Sequence, residues 1–138
     1  MTTTRILPAL TDVDRPFWTG GHDGRLLIER CAGCHRWQHP PAGLCSSCGG
    51  DIVPTPASGR GTVFTFTVNQ HPFHPDVPPP YVIAIIELDE QPDLRVVANV
   101  VGCDPDEVHI GMAVEVAFEV DSGEGGEHAV PVFHPVAP

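Results

Sequence analysis

The stretch CAGCHRWQHPPAGLCSSCGG, residues 31–50, holds four of the five cysteines of a 138-residue chain. They form two C-x2-C pairs separated by ten residues, namely Cys31, Cys34, Cys45 and Cys48. Two residues between paired cysteines let both sulfurs face one ion, and two such pairs supply the four tetrahedral thiolates of a structural zinc site. Four thiolates leave no coordination position for water or substrate. The spacing therefore predicts a structural Zn²⁺ site that has no catalytic role.

Paired cysteines also serve as disulfides, as redox motifs and as iron ligands. Disulfides belong to oxidising compartments, and the first residues, MTTTRILPAL, lack the basic start and long apolar run of an export signal. A redox C-x-x-C motif needs one pair beside a βαβ unit, which the sequence does not indicate. Spacing alone does not distinguish zinc from iron in a four-thiolate site. His35 and His39 are expected at the surface or beside the metal ligands.

Composition limits the classes of protein that fit. With 16 prolines and 14 glycines the chain is rich in turns and poor in long helices. No apolar run approaches the roughly 20 residues that span a bilayer, so we expect a cytoplasmic protein with no membrane contact. The formal net charge is −11, and the seven basic residues are all arginine. Because phosphates repel such a chain, nucleic acid is not expected as a partner.

Outward from the cysteines, the pattern predicts a mainly β chain. Alternating or β-branched segments predict five strands near 58–70, 81–88, 94–102, 113–120 and 128–136, with a helical turn inside 103–112. Five short strands with a helical turn after the third are typical of a five-stranded OB-fold barrel. Phe64 and Phe66 are expected in its core. Pro131 predicts that the last strand is an edge strand or carries a bulge.

The residues before the cysteines predict a short helix. It would lie within 12–24, begin near Asp12 or Asp14, and be anchored by Phe17 and Trp18. A strand at 25–30 then leads into the first cysteine pair. The predicted domains are an N-terminal helical arm (1–25), a zinc ribbon (26–57) and an OB-fold (58–138).

The proline-rich loop HPFHPDVPPP, residues 71–80, has two interpretations. Connections usually run over the surface, so it could be a rigid surface loop. OB barrels also bind through this connection, which makes it a docking loop with His71, Phe73, His74 and Tyr81 as interface candidates. The lone Cys103 is expected as a small buried apolar residue. No catalytic set of side chains is identifiable.

The order of the motifs resembles one family. An N-terminal PFW, the four-cysteine segment, SGRGTVFTFTV, PPPYVIAIIELDE, NVVGCDPDEVHIGMAVEVAFE and a closing PVFHP resemble the DUF35 family from about Arg15 to Pro135. The resemblance implies a rubredoxin-like zinc ribbon joined to an OB-fold, with the four cysteines as its zinc ligands. The Gly-rich acidic linker at 121–127 departs from the family pattern, so its conformation stays open.

The resemblance also implies a function. Members of the family act as small subunits of thiolase-like acyl-CoA enzymes, or as domains of hydratases that recruit them, and the chemistry lies on the partner. In steroid side-chain breakdown, a lipid-transfer-protein-like thiolase homologue becomes an active aldolase when it is paired with such a domain. We therefore expect a non-catalytic accessory subunit of an acyl-CoA lyase or acyltransferase, in a 2:2 heterotetramer with a thiolase-like enzyme.

Two further hypotheses compete with this one. The chain could be a nucleic-acid or protein-interaction module, since zinc ribbons and OB barrels serve both uses. It could also be an enzyme in its own right, acting through His71, His74 or Cys103. Acyl-CoA is expected to bind through the complex. Because the chain has no lysine, any contact of its own with the CoA phosphates must use arginine, with Arg36, Arg60 and Arg95 as candidates.

Overall fold

Two β-structures follow one another along the chain, and a short helical arm packs on both. The computed structural model describes residues 7–120 and 127–136. The hexapeptide at the N-terminus and positions 121–126 of the acidic linker lie outside the described residues, so the predictions made for them stay open. Within the described part, no helix is long and apolar enough to cross a membrane.

The first β-structure is a three-stranded antiparallel sheet that carries the cysteines. Its strands are β1 (Leu26–Cys31), β2 (Trp37–Gln38) and β3 (Ile52–Ala57), in the order β2-β1-β3. The strand expected at 25–30 is confirmed as β1, whereas the proline-rich sequence gave no reason to expect β3. Pro54 and Pro56 fit there because β3 is an edge strand, where a missing N–H can face solvent.

The second β-structure is a closed five-stranded barrel. Its strands are β4 (Arg60–Asn69), β5 (Tyr81–Leu88), β6 (Arg95–Val100), β7 (Ala113–Val120) and β8 (Ala129–Pro135), in the order β4-β5-β6-β8-β7. A 3-10 turn at Pro105–Glu107 follows the third strand of the barrel. The five strands and the turn confirm the predicted OB-fold.

Two predictions within the barrel are wrong in detail. The register of β4 against β5 shifts between Val63 and Thr65, so a bulge turns Phe64 outward. Val63 is buried in its place, whereas Phe64 is 44% exposed. Pro131 marks neither an edge strand nor a bulge, because β8 has neighbours on both sides and pairs with β7 without a register shift. It lies instead where β8 pairs with β7 but not with β6.

The arm is a five-residue helix, α1 (Arg15–Thr19), followed by a 3-10 turn at Gly20–Asp23. The expected single helix over 12–24 is therefore shorter and ends in a tighter turn. Asp14 is its N-cap residue but forms no side-chain cap. As predicted, Phe17 and Trp18 anchor it, and their rings meet edge to face at a centroid distance of 4.9 Å.

One hydrophobic core serves both β-structures. Leu26 and Ile28 of β1 belong to the same buried cluster as Val63, Ile86 and Phe133 of the barrel. The base of the ribbon is thus held by apolar burial against the barrel, and the cysteines lie at its far end.

The turn between β5 and β6 links the barrel to the ribbon through hydrogen bonds, in addition to the shared hydrophobic core. The side-chain amide of Gln91 accepts a hydrogen bond from the backbone N–H of Trp37 and donates one to its carbonyl oxygen, both at 3.0 Å. The neighbouring Glu90 accepts a bond of 2.6 Å from the backbone N–H of Ser58, which lies between β3 and β4. The turn therefore holds the ribbon and the connecting segment to the barrel.

Candidate metal centre and docking groove

The four paired cysteines converge at the tip of the ribbon. Cys31 ends β1, Cys34 follows in the next turn, and Cys45 and Cys48 lie in the turn before β3. Their four sulfur atoms all lie within 4.8 Å of one another. Gly49 follows the last cysteine with φ = +72°, a conformation that glycine adopts without strain. This residue closes the second turn and returns the chain to the sheet.

Backbone N–H groups point at the sulfurs in both turns. The N–H of Cys34 lies 3.4 Å from the Cys31 Sγ, and the N–H of Cys48 lies 3.5 Å from the Cys45 Sγ. The N–H of Cys34 lowers the pKa of Cys31, and those of Cys48 and Ser47 lower the pKa of Cys45 to about 6. These N–H groups therefore favour the thiolate, the form that binds metal, at Cys31 and Cys45. At Cys48 the backbone N–H of Gly50 acts in the same direction, but the three neighbouring sulfurs outweigh it and raise the pKa to about 11.

The sulfur spacing fits a tetrahedral ion. A metal with bonds of about 2.3 Å to sulfur places tetrahedral ligands roughly 3.8 Å apart. The Cys31 and Cys48 sulfurs are 3.5 Å apart, and those of Cys34 and Cys45 are 3.7 Å apart. These distances far exceed the roughly 2.05 Å of a disulfide, and all five cysteines are free thiols. The cluster is therefore suited to binding one metal ion through four sulfurs.

A buried carboxylate organises the loop between the two cysteine pairs. Glu29 of β1 is only 7% exposed. It accepts hydrogen bonds from the Gln38 side chain at 2.7 Å and from the backbone N–H groups of Ala42 and Gly43 at 2.8 and 2.9 Å. Because a buried charge is costly unless it is hydrogen-bonded, these three bonds fix the loop that carries the second pair. Sequence reasoning missed this residue, whose only signal is a charge inside an apolar strand.

The two histidines near the cysteines have different environments. His35 is exposed and has φ = +63°. His39 was expected at the surface or beside the metal ligands, but its ring packs on Phe17 at a centroid distance of 4.6 Å. Its buried Nδ1 has no hydrogen-bond partner among the described residues. Burial lowers the pKa of His39 to about 4, which the nearby Glu29 only partly offsets.

A large apolar groove lies on the barrel beside the arm. Its volume is about 650 Å³. The residues that line it come from the segment before α1, from α1, from the proline-rich loop and from β5, β6, β7 and β8, and they include Leu7, Trp18, Phe73, Tyr81, Val97 and Val130. Most of this lining is apolar, and its acidic members among the described residues are Asp76 and Glu119. The groove is thus suited to an apolar ligand or segment.

The structure brings the four interface candidates together. Phe73, His74 and Tyr81 line the groove, and the ring of His71 packs against Phe73 at a centroid distance of 4.5 Å. Phe73 is 73% exposed. The backbone N–H of Asp76 donates to the His74 Nδ1 at 3.1 Å, which orients that ring. Their role as an interface stays a prediction.

The three arginine candidates lie on separate elements. Arg36 follows the first cysteine pair, Arg60 begins β4 and Arg95 begins β6. The guanidinium of Arg95 stacks 3.7 Å from the ring centre of Phe64 and pairs with Asp93 at 3.1 Å and Glu87 at 3.5 Å. None of the three lines the groove. A CoA-phosphate role for them stays a prediction.

The fifth cysteine has an environment close to the expected one. Cys103 is half-buried and packs against the hydrophobic core. Burial, together with the nearby Glu107 and Asp104, raises the pKa of its thiol. A raised pKa lowers the thiolate fraction at neutral pH, so Cys103 is a poor nucleophile.

Comparison with known protein families gives two adjacent matches. Residues 18–53 match the ChsH2 rubredoxin-like zinc ribbon domain, and residues 54–119 match the ChsH2 C-terminal OB-fold domain.

Curated relatives fall into two groups. A DUF35 domain-containing scaffold protein of Methanocaldococcus jannaschii is 33% identical, over 76% of this chain and 75% of that protein. The 3-oxo-4,17-pregnadiene-20-carboxyl-CoA hydratase alpha subunit of Mycobacterium tuberculosis is 37% identical, over 74% of this chain and 32% of that protein. The chain spans only 32–38% of the length of the matched hydratase alpha subunits.

A solved structure matches over the whole fold. A chain of the Ltp2-ChsH2(DUF35) aldolase superposes with a TM-score of 0.82 at 38% identity, covering 95% of this chain and 100% of that chain. The match includes both β-structures in one arrangement. The chain therefore belongs to the DUF35 family, as a zinc ribbon followed by an OB-fold.

Proposed function

We propose that the chain is a non-catalytic accessory subunit of a thiolase-like acyl-CoA enzyme. The reaction proposed for the complex is retro-aldol cleavage of a steroid side-chain acyl-CoA, with thiolysis or acyl transfer as the related reactions of such partners. The observation that carries this proposal is the match to the complete DUF35 chain of an aldolase complex. The similarity to a pregnadiene-carboxyl-CoA hydratase alpha subunit supports the steroid assignment.

The four cysteines are proposed to hold one structural zinc ion. The sulfur distances and the N–H groups aimed at the sulfurs suit a thiolate-bound ion. The role of the ion is to supply folding free energy to a ribbon tip whose cysteines alternate between buried and exposed positions. Cys31 and Cys45 are the buried ligands, and Cys34 and Cys48 are the exposed ones.

The partner enzyme is proposed to contact the proline-rich loop. Phe73 exposes most of its ring, and the prolines around it limit the entropy lost on docking. Aromatic anchors commonly dominate interface energies. His71, Phe73, His74 and Tyr81 are the contact residues of this proposal, and two copies of each chain form the complex.

Co-expression with a thiolase-like protein from the same genome tests the proposal. Size-exclusion chromatography should show one complex, and cleavage of the steroid acyl-CoA should need both chains. Phe73→Ala and Tyr81→Ala should weaken the complex at least tenfold. Phe64→Ala is the matched control, because Phe64 is also an exposed phenylalanine but does not line the groove.

Separate elution, together with full activity of the partner alone, would overturn the accessory role. Co-elution with unchanged affinity in Phe73→Ala and Tyr81→Ala would move the interface elsewhere and leave the accessory role standing.

A further inference from the structure

The two cysteine pairs are supported in different ways. Cys31 belongs to β1, where it pairs with Ile52 of β3 in the regular register of the sheet. The second pair follows residues 39–43, which belong to no helix or strand. The position of the second pair relative to the first therefore depends on what holds this loop.

Two side chains of the sheet hold the loop. The buried carboxylate of Glu29 accepts hydrogen bonds from the backbone N–H groups of Ala42 and Gly43. Gln38 of β2 donates through its Nε2 to the Glu29 carboxylate at 2.7 Å and to the carbonyl oxygen of Leu44 at 2.8 Å. Glu29 and Gln38 thus form one network that binds the backbone just before the second cysteine pair.

The same network reaches into the turn of the second pair. The Oε1 atom of Gln38 accepts a hydrogen bond of 2.9 Å from the backbone N–H of Ser46, which lies between Cys45 and Cys48. Because the nitrogen of the Gln38 amide donates and its oxygen accepts, a single orientation of the amide satisfies all of these contacts. The metal-binding turn is therefore fixed to β2 by a side chain, in addition to its own backbone hydrogen bonds.

Displacing the loop from this network would be costly. Glu29 is only 7% exposed, and a buried charged group that loses its donors carries the full penalty of its lost solvation. Hydrogen bonds to an ionised acceptor are also roughly twice as strong as those between neutral groups. The network therefore resists movement of the second cysteine pair away from the first.

This resistance affects how long an ion is retained. A sulfur that stays in place after its bond to a metal breaks is present at a high effective concentration and binds again. We propose that Glu29 and Gln38 are positioning residues of the metal centre, which hold Cys45 and Cys48 in place and thereby slow the release of the ion. Neither belongs to the cluster of candidate ligands, and both act through the loop backbone. This inference rests on the structural zinc ion of the proposed function and names the residues that retain it.

Release of Zn²⁺ from the loaded 138-residue chain to an excess of a coloured chelator tests the proposal. Glu29→Gln keeps the shape of the side chain but turns an NH₂ group toward a backbone N–H, so release should be roughly 10–100-fold faster. Asp51→Asn is the matched control, because it removes the same charge from an exposed position shortly after Cys48. Since solvent and salt screen an exposed charge, its release rate should change less than about threefold.

Further measurements separate positioning from a general loss of structure. Gln38→Ala should also speed release, and the double variant with Glu29→Gln should release the ion more slowly than the product of the two single effects, because both residues belong to one network. Co²⁺ bound to Glu29→Gln should keep the absorption spectrum of the wild-type site, since the same four sulfurs bind it. Hydrogen exchange of the Ala42 and Gly43 amides should quicken, while strand amides of the barrel stay protected.

Several results would overturn the proposal. Unchanged release in both Glu29→Gln and Gln38→Ala would do so, as would an equal acceleration in Asp51→Asn. A changed Co²⁺ spectrum would mean that the substitution alters the ligand set, which a positioning residue does not do. If Glu29→Gln does not fold, the release rate of Gln38→Ala is decisive. A wild-type chain that binds no metal would overturn the zinc assignment as well, whereas a failure confined to the variants would overturn only the positioning role.

Discussion

The ribbon and the barrel hold together by different means. Among the described residues of the barrel, thirteen hydrophobic residues of the five strands are less than 10% exposed, and they include Val63, Ile86 and Phe133. At the tip of the ribbon, the four cysteine sulfurs lie close together, and the adjacent apolar residue Leu44 is 60% exposed. The comparison teaches that apolar burial stabilises the barrel, whereas the tip has little of it and would depend on the proposed metal ion.

Removing a metal ligand should cause the largest loss of stability, and that loss should be limited to the ribbon. Cys31→Ser is expected to lose the ion, whose binding contributes about 10 kcal/mol or more in small zinc modules. Elemental analysis should show metal loss, and hydrogen exchange should show lost protection in β2 and β3 while β5 and β6 stay protected. Cys103→Ser, which lies outside the cluster, is the control. Full metal content in Cys31→Ser would contradict the assignment, and unfolding of the whole barrel would break the comparison.

Truncating a side chain of the barrel core should destabilise the barrel and leave metal binding by the ribbon unchanged. Phe133→Ala is expected to cost about 3–5 kcal/mol, because it removes a fully buried ring. Chemical denaturation should show a lower midpoint for the barrel, while the remaining folded protein keeps its metal. Phe64→Ala should cost less than about 1 kcal/mol, since it removes only an exposed ring with a stacked guanidinium. Equal losses in the two variants would mean that the core is wrongly placed.

The half-buried His39 should make the contact between arm and ribbon sensitive to acid. His39 has a folded-state pKa of about 4, against about 6.5 when unfolded. Between these values the unfolded chain binds the extra proton, so stability falls as pH drops from 6.5 to 4, by up to about 3 kcal/mol.

Denaturation midpoints of the metal-loaded protein across this pH window measure the effect. In His39→Leu the decline should be smaller, because the titrating group is gone and the apolar contact with Phe17 is kept. The difference between the two proteins cancels any acid loss of metal that they share. Parallel curves would show that His39 does not titrate as stated.

The smallest predicted effect concerns the bond between the two regions. Gln91→Ala should cost about 1–2 kcal/mol, because it removes two hydrogen bonds to the Trp37 backbone. Gln91→Glu keeps the acceptor and loses the donor, so its cost should be intermediate. Exchange of the Trp37 amide should quicken in Gln91→Ala and less so in Gln91→Glu. Unchanged exchange in both would mean that the core alone joins the ribbon to the barrel.

Sequence reasoning succeeded where one local pattern determines one structure. The C-x2-C spacing is enough to place two sulfurs together, and alternation is enough to predict the strands of the barrel. It failed where a non-local partner decides the outcome. The outward turn of Phe64 depends on a bulge against β5, and β3 depends on an edge position that tolerates prolines.

Local sequence patterns also could not predict the groove or the burial of Glu29. Tyr81 and Phe73 suggested an interface, but the groove that they line is assembled from elements far apart in the sequence, namely α1, the proline-rich loop and strands of the barrel. In the sequence, Glu29 looks like an ordinary charged residue of a strand. Its burial depends on the loop whose backbone N–H groups, at Ala42 and Gly43, donate hydrogen bonds to it. His39 was expected at the surface or beside the metal ligands, whereas its ring packs on Phe17 of the arm.

The Gln91 contact has a consequence for how such chains can be recombined. Both of its hydrogen bonds end on the main chain of Trp37, and neither depends on the identity of that side chain. A ribbon grafted from a relative would therefore still be recognised by this turn, provided that β2 keeps its path. The grafted ribbon would still need apolar residues at the positions of Leu26 and Ile28, which share the core of the barrel, whereas this turn requires only that the barrel keep Gln91.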